Sequence, residues 1–332
     1  MIDKNLLGPW IRRFLLEYLI GERNFSRNTQ MSYRDTLTLL LPFASKSAGV
    51  AIDKMVVTDI SPAIVRQFLD HLEQDRHCTG VTRNQRLGTI HSLARFIGMR
   101  SPVHLSWCTE VRLVPFKKTD KTMITYLDKV EMDALLLQPD RHTRLGMRDY
   151  VLLLFLYNSG ARADEAARLT IKHLLLEEPP SVRIHGKGNK IRMCPLWPMM
   201  VPMLERLVNG RRADEVVFLG RANKPMTRFG IHRLVSHYAE MASEDVPSMQ
   251  TKRVSPHNIR HTTAVHMVRS GVDINTIRAW LGHVSLDTTN IYAEVDLEMK
   301  AKALASVDVS GQPAEPLRQR ALPSLMTFLQ GI

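Results

Sequence analysis

A short segment around residue 260 combines residue types that bind anions. Ser255 and Pro256 are typical of a helix start, and His257 and Arg260 follow three residues apart. Both side chains should therefore lie on one face of the helix, beside its positive end. This pattern predicts an anion site, although a capped surface helix without a ligand produces the same pattern and is the commoner case.

Two further candidates follow in the sequence. Residues 273–281 predict a helix that ends at Gly282, and His283 comes directly after that end. A further predicted helix, residues 286–294, bears Tyr292. An imidazole can transfer protons and a phenol can act as a nucleophile, so both residue types are candidates for chemistry beside an anion site.

Three more candidates lie upstream. Arg162 stands in the first turn of a predicted helix, residues 162–169, and Glu165 follows one turn later, where it could hold the guanidinium. Lys187 stands in a glycine-rich turn. Each has an ordinary explanation when taken alone: surface charge, a first-turn charge or the solubility of a turn. Their combination and their order along the chain nevertheless do not look accidental.

The elements that would position these residues fall into two regions. Residues 1–110 predict a small bundle of four amphipathic helices, with capping residues at Ser26 and at Ser61-Pro62 and a fourth helix from about Thr82 to Gly98. Residues 101–126 show no helical period, and we assign residues 111–126 to a linker. The apolar positions at helical spacing include Leu6, Trp10, Phe14, Tyr18, Leu37, Leu40, Val65, Phe68, Leu87, Ile90 and Leu93.

The second region, residues 127–306, is mixed. Residues 147–158 predict an apolar helix, and alternating apolar residues on both sides of a Gly-Lys-Gly-Asn turn predict a β-hairpin. The apolar hairpin positions are Val182, Ile184, Ile191 and Met193. Residues 307–332 form a tail. The predicted fold class is therefore mainly α with a small β-hairpin.

Composition narrows the function. The 332 residues carry a net charge of +12, with 45 Lys and Arg against 33 Asp and Glu, which favours a polyanionic partner such as nucleic acid. A basic surface kept for solubility would give the same charge. We find neither a membrane span nor a signal peptide, and the three scattered cysteines predict neither disulfides nor a zinc cluster, so we expect a cytoplasmic protein.

Three segments carry a specific resemblance to a known family: YNSGARADEAARL, HGKGNKIRMCPL and SPHNIRHTTAVHMVRSGVDINTIRAWLGHVSLDTTNIYAEV. They are similar, in this order, to the first arginine box, the lysine hairpin and the second box of the tyrosine recombinase (phage integrase) family. Two N-terminal segments, SRNTQMSYRDTLTLLLPF and TRNQRLGTIHSLARF, resemble the core-binding domain of that family. Ala161 and Asp164 depart from the first box without removing a catalytic group.

The resemblance implies a SAM-like core-binding domain at residues 1–110 and a mixed α+β catalytic domain at residues 127–306. It also implies a reaction in which Tyr292 attacks a scissile phosphate and forms a 3′-phosphotyrosyl link, while two arginines clamp the phosphate and Lys187 protonates the 5′-oxygen. The implied catalytic residues are Arg162, Lys187, His257, Arg260, His283 and Tyr292, with Glu165 in a supporting role.

The resemblance further implies the partners. We expect double-stranded DNA with specific recombination sites, a homo-tetramer on that DNA, no cofactor and no metal, with room for an accessory recombinase. Apolar residues of the tail could dock on a neighbouring subunit or fold back on their own domain; they are Leu322, Leu325, Phe328 and Leu329.

Two other functions remain open from the sequence. A type IB topoisomerase uses similar chemistry without exchanging strands between sites, and a regulator could keep the recombinase shape without catalysis. Integration, excision, resolution and inversion all use the same reaction. We favour a mobile-element recombinase, because the N-terminal part and the tail differ from housekeeping Xer-type enzymes.

Overall fold

The computed structural model describes residues 5–119, 124–186, 188 and 190–282, and the chain divides into two compact units between residues 123 and 124. These residues are mainly α-helical with one small antiparallel sheet, which confirms the predicted fold class. No helix among them is both long and apolar enough to cross a membrane. The predictions that lie outside the described residues are Lys187, His283, Tyr292, the helix at 286–294 and the tail at 307–332.

The first unit is a helical bundle whose helix starts are set by hydroxyl side chains. Ser26, Ser61 and Thr79 each accept a hydrogen bond from the backbone N–H three residues later, which confirms the predicted caps at Ser26 and Ser61. The elements of this unit are α1 (Leu7–Arg13), a π-helix (Phe14–Glu22) that continues it, α2 (Arg27–Ala48), α3 (Pro62–Gln74), α4 (Gly80–Gly98) and α5 (Leu105–Arg112).

Helix α5 is an element that the sequence pattern did not predict. It is only eight residues long and begins without a side-chain cap, so its local signal is weak. Its Trp107 and Val111 are nevertheless buried in the core of the first unit, and the Trp107 Nε1–H donates to the Ile60 carbonyl at 2.9 Å. Tertiary packing therefore stabilises a helix that the local sequence does not specify.

The segment that we assigned to a linker, residues 111–126, has both of its described ends docked. On the side of the first unit, the Asn84 side chain bonds both the N–H and the C=O of Lys117, at 2.9 and 2.7 Å. On the side of the second unit, the Thr125 carbonyl accepts a hydrogen bond from Asn258 at 3.0 Å. Each end is thus an integral part of its own unit.

The second unit combines seven helices with a sheet of order β1-β2-β3 in the described residues. Strands β2 and β3 form the predicted hairpin, and β1 adds a short edge strand that was not predicted. The strands are β1 (Leu174–Leu175), β2 (Ser181–His185) and β3 (Ile191–Pro195), and the helices are α6 (Lys129–Leu137), α7 (Arg144–Ser159), α8 (Ala163–Ala167), α9 (Val201–Val208), α10 (Arg228–Asp245), α11 (Pro256–Arg269) and α12 (Ile274–Leu281).

Strand β3 presents its apolar residues outward. Ile191 and Met193 are 56% and 45% exposed, whereas the Arg192 side chain is buried and Cys194 is fully buried. The register explains this, because Arg192 lies opposite the buried Ile184, and directly opposed residues share a face of the sheet. The alternating apolar residues of β2 therefore lie on the buried face of the sheet, whereas Ile191 and Met193 of β3 lie on the exposed face.

Helix α7 crosses the core of the second unit. Its residues 150–156 are all buried, as expected for a helix that is apolar on every side. At its N-terminal part Asp149 accepts hydrogen bonds from Arg148 at 2.5 Å and from the Tyr238 hydroxyl at 2.9 Å. Helix α7 is therefore held by packing over residues 150–156 and by hydrogen bonds at its N-terminal part.

A buried carboxylate ties the start of α6 to the segment before α11. Glu131 is fully buried and accepts hydrogen bonds from the Asp128 N–H at 2.8 Å, the Ser248 hydroxyl at 2.6 Å and the Lys252 ammonium at 2.5 Å. Burial alone would raise the pKa of Glu131, but these hydrogen bonds and the charge of Lys252 together lower it. Glu131 is therefore ionised in the folded protein.

We expect Glu131→Gln to lower the free energy of unfolding by about 2 kcal/mol near pH 7, because Lys252 then loses its counter-charge. The pKa of Glu131 is lower in the folded than in the unfolded protein, so this stability is present above the unfolded pKa and is lost as the pH falls. Chemical denaturation at several pH values measures both effects. Asp133→Asn, which breaks the exposed pair with Lys129 on the same helix, should cost less than about 0.5 kcal/mol. Equal losses for the two variants would contradict the prediction.

Candidate active site

The turn between α7 and α8 presents Arg162. Helix α7 ends at Ser159 and is capped by Gly160, whose φ of 58° is left-handed and whose N–H donates to the Leu156 carbonyl at 2.9 Å. A side chain would not fit there, because a Cβ on Gly160 would lie 2.4 Å from Cδ2 of Leu281. Arg162 then occupies the N-cap of α8, not the first turn that the sequence predicted.

Glu165 holds Arg162, as predicted. One of its oxygens, Oε1, accepts from Nη1 of Arg162 at 2.7 Å, and Oε2 accepts from the backbone N–H of Arg162 at 3.0 Å. Burial alone would raise the pKa of Glu165, but the hydrogen bond and charge of Arg192 and the bonds from Arg162 lower it. Glu165 is therefore an ionised carboxylate that fixes the start of α8 and the Arg162 side chain together.

Arg192 completes this group, and the sequence analysis missed it. Its Nη2 donates to Oε2 of Glu165 at 2.7 Å, and only 8% of its side chain is exposed. The signal that could have revealed it is the sequence of β3, where an arginine stands between the apolar residues Ile191 and Met193. A charged residue on the inward face of a strand needs a buried partner, which here is Glu165.

Arg260 joins three separate segments. Its Nη1 donates to the Gly160 carbonyl and its Nη2 to the Leu281 carbonyl, both at 2.6 Å. These carbonyls lie at the C-terminal ends of α7 and α12, where helix carbonyls lack partners within the helix and carry partial negative charge. Arg260 is only 1% exposed. It therefore brings the turn before Arg162 and the end of α12 to one place.

The start of α11 differs in detail from the prediction. Ser255 does occupy the N-cap and Pro256 the first helical position, but the Ser255 hydroxyl donates to Oδ1 of Asn258 at 2.5 Å and does not cap the helix. The Asn258 amide in turn donates to the Thr125 carbonyl. This network fixes the helix start, and hence the positions of His257 and Arg260, against the beginning of the second unit.

Two histidines lie one turn apart on α11, with ring centroids 4.2 Å from each other. His257 is accessible at the surface, and partial desolvation of its ring, followed by the charges of Arg260 and Arg162, lowers its pKa. Burial, then the charges of His257 and Arg260, lowers the pKa of His261 to about 4. Both rings are thus neutral near pH 7, and His257 lies within electrostatic range of both arginines.

Two candidates, Lys187 and His283, lie outside the described residues, but the glycine that precedes each of them lies close to Glu165 or Arg192. A Cβ on Gly186, the residue before Lys187, would lie 3.3 Å from Oε1 of Glu165 and 3.6 Å from Nη1 of Arg192. Gly282, the residue before His283, ends α12 with a φ of 67°, and a Cβ there would lie 3.2 Å from Cδ of Arg192. Both glycines therefore pack closely against the Glu165–Arg192 pair.

The assembled side chains favour an anionic ligand. Arg162 and Arg192 pair with the Glu165 carboxylate, and Arg260 bonds the Gly160 carbonyl two residues before Arg162, so these four side chains carry two net positive charges. The Arg162 side chain is 41% exposed and open to a ligand. A fixed positive field of this kind stabilises the charge that develops on phosphate oxygens during substitution. In the parts of the chain that the structure describes, no three His, Cys, Asp or Glu side chains come together as metal ligands would.

Each of the two units is similar to a known protein family. The profile of the Phage integrase family matches residues 125–299, and that of the Phage integrase, N-terminal SAM-like domain matches residues 11–100. A Sinorhizobium fredii protein with an integrase/recombinase name, y4rC, is 33% identical over 98% of each chain. The tyrosine recombinase XerD of Haemophilus influenzae is 32% identical over 86% of this chain and 93% of its own.

Solved structures share the fold. The XerH site-specific recombinase bound to its difH substrate has a TM-score of 0.64 and 20% identity, covering 88% of this chain and 83% of its own. The Tn1549 transposon integrase in complex with a circular intermediate DNA has a TM-score of 0.67 and 13% identity, covering 89% of this chain and 98% of its own. At these identities the likeness concerns the architecture of the chain.

Proposed function

Because the chain belongs to the phage integrase family of tyrosine recombinases, we propose that it cuts and rejoins double-stranded DNA at specific recombination sites through a 3′-phosphotyrosyl intermediate. The observation that carries the proposal is the convergence of Arg162, His257 and Arg260 on one positively charged site, from segments a hundred residues apart in the chain. A reaction at a phosphodiester needs this concentration of positive charge.

The bond change begins with the phenol. Tyr292 attacks the scissile phosphorus, a P–O bond to the tyrosine forms, and the P–O bond to the 5′-oxygen of the next nucleotide breaks. The new phosphodiester retains the energy of the old one, so rejoining needs no nucleotide triphosphate. Arg162 and Arg260 neutralise the nonbridging oxygens, for which a planar guanidinium is better suited than an ammonium group.

Proton transfer is assigned to the remaining residues. Lys187 donates a proton to the leaving 5′-oxygen, His257 assists proton transfer, and His283 donates a hydrogen bond to the phosphate. The lowered pKa of His257 supports its role, because a neutral ring can accept a proton near pH 7. Glu165 keeps Arg162 in place. The arginines and the lysine supply the positive field that metal ions supply in other phosphoryl-transfer enzymes, so the proposal includes no metal and no cofactor.

The assembly follows from the number of strands. One tyrosine cuts one strand and a complete recombination exchanges four, so the proposed active species is a homo-tetramer on two DNA sites. Residues 307–332 would contribute to the contacts between subunits, and an accessory recombinase could supply part of the tetramer. We expect the protein to act in the cytoplasm, with its DNA.

We further propose a role in the movement of a mobile element, by integration, excision or transposition. The integrase/recombinase name of y4rC, which matches this chain over 98% of both lengths, supports this role. The XerC and XerD relatives are also similar, at 28% and 32% identity. Inverted repeats flanking the reading frame would supply the DNA for a test.

The test is covalent trapping. The purified chain is mixed, in the presence of a chelator, with a duplex that carries the flanking repeat and a nick next to the scissile phosphate, so that the released fragment diffuses away. We expect a protein–DNA complex that survives denaturing electrophoresis and carries the 3′ end of the cut strand. Binding without such a complex would identify a DNA-binding regulator. Relaxation of supercoiled plasmid that lacks the repeat would identify a topoisomerase.

A further inference from the structure

The buried arginine of β3 has no part in the reaction proposed above. Arg192 contacts the carboxylate that holds Arg162, and it does so from the interior of the protein. We propose that Arg192 is a positioning residue: it is the counter-ion of Glu165, and it thereby leaves the charge of Arg162 available to the scissile phosphate. This inference rests on the proposed function and deepens it.

The balance of charge among Arg162, Glu165 and Arg192 supports this role. Glu165 bonds Arg162 and Arg192 at the same distance, 2.7 Å, but the exposed fractions of the two arginine side chains differ, 41% against 8%. Glu165 alone would cancel the charge of Arg162 and weaken its attraction for a phosphate. With the buried Arg192 in place, the group keeps one net positive charge, and the accessible member of the group is Arg162.

The packing of Arg192 also supports this role. Its side chain packs against Gly282, which precedes His283, and its Nη1 lies close to Gly186, which precedes Lys187. Displacement of the Arg192 guanidinium would therefore change the packing beside Gly186 and Gly282, the residues that precede two of the proposed catalytic residues. A displacement of about 1 Å at a catalytic group can reduce a rate about 100-fold.

An ordinary ion pair that only stabilises the sheet is the competing explanation. The two explanations differ in what they expect of a folded protein with DNA bound. A stabilising pair affects the melting temperature but not the cleavage rate of the folded complex. A counter-ion of Glu165 affects that rate, and removing the carboxylate as well should restore part of it.

The experiment uses the full chain and the nicked duplex described above. Four variants are compared with the unchanged protein: Arg192→Met, Arg192→Lys, Glu165→Gln and the double variant with Glu165→Gln and Arg192→Met. The measurements are the single-turnover rate of covalent complex formation at saturating DNA, the Kd for the duplex and the melting temperature. Arg212→Met, which removes an exposed arginine paired with Asp214 in the same unit, is the matched control.

We expect Arg192→Met to reduce the rate about 100-fold, with a change in Kd of less than about threefold. Arg192→Lys keeps the charge and should stay within about tenfold of the unchanged protein. The double variant should react about tenfold faster than Arg192→Met, because no uncompensated carboxylate remains beside Arg162. Arg212→Met should stay within about twofold.

A folded Arg192→Met protein that cleaves at the unchanged rate would overturn the inference, and so would a double variant no faster than Arg192→Met. If Arg192→Met does not fold, the Arg192→Lys variant tests the inference. Loss of cleavage by Arg192→Lys at an unchanged melting temperature would then overturn the inference. The unchanged protein separates the two proposals: no covalent complex refutes the recombinase function itself, whereas a normal complex with unaffected variants refutes only the role of Arg192.

Discussion

With Tyr292 replaced by phenylalanine, the protein forms no covalent complex with DNA but still binds the recombination site. The substitution removes a single oxygen, the proposed nucleophile, and no neighbouring group can replace an atom that becomes part of the intermediate. DNA affinity should change by less than about threefold, because affinity depends mainly on phosphate contacts by basic side chains. Denaturing electrophoresis of the nicked duplex and gel retardation of the intact duplex measure the two quantities.

Tyr150→Phe is the matched control for this substitution. The Tyr150 ring is buried in α7, and its hydroxyl makes no hydrogen bond within the described residues, so its removal should leave cleavage within about twofold. A covalent complex formed by the Tyr292→Phe protein would show that another residue is the nucleophile. Mapping of the DNA-linked peptide would then identify that residue.

Arg260→Lys should reduce the rate of covalent complex formation about 1,000-fold. The guanidinium already gives one donor each to the Gly160 and Leu281 carbonyls, and it must also face the phosphate. A lysine ammonium is a compact charge on a flexible stem, so it cannot make both carbonyl contacts and keep a planar fork toward a phosphate. Loss of one preorganised donor to a developing charge costs on the order of 100- to 1,000-fold, and here the neighbouring turns move as well.

Arg269→Lys on the same helix is the control. Arg269 lies near the C-terminal end of α11, where it contacts the Tyr126 ring and hydroxyl, and its replacement should leave the rate within about twofold. The melting temperatures of both variants distinguish a catalytic loss from unfolding. An Arg260→Lys protein that is folded and cleaves normally would exclude Arg260 from the site.

The sequence was sufficient where local chemistry decides the structure. Ser26 and Ser61 cap their helices with their own side chains, and the glycine-rich turn between two apolar strands gives the hairpin. The pairing of Arg162 with Glu165 was also predictable, because residues three apart at a helix start are neighbours. These features depend on residues a few positions apart.

The sequence was insufficient where partners come from distant segments. Nothing near Arg260 in the chain indicates that its donors end on carbonyls of residues 160 and 281, and nothing near β3 indicates that Arg192 pairs with Glu165. Helix α5 was missed for the same reason, since its packing against Ile60 and not its own pattern stabilises it. The catalytic roles of all the candidate residues stay predictions, and three of those residues, Lys187, His283 and Tyr292, also lie outside the described residues.

The Gly160 and Leu281 carbonyls, which bond Arg260, restrict where insertions and deletions can occur in the chain. Each residue added to a helix turns its end by about 100° and advances it by about 1.5 Å. A single insertion or deletion inside α7 or α12 would therefore rotate the terminal C=O away from the guanidinium. Length variation among close homologues should accordingly avoid these two helices and fall in surface connections, such as the one between β1 and β2.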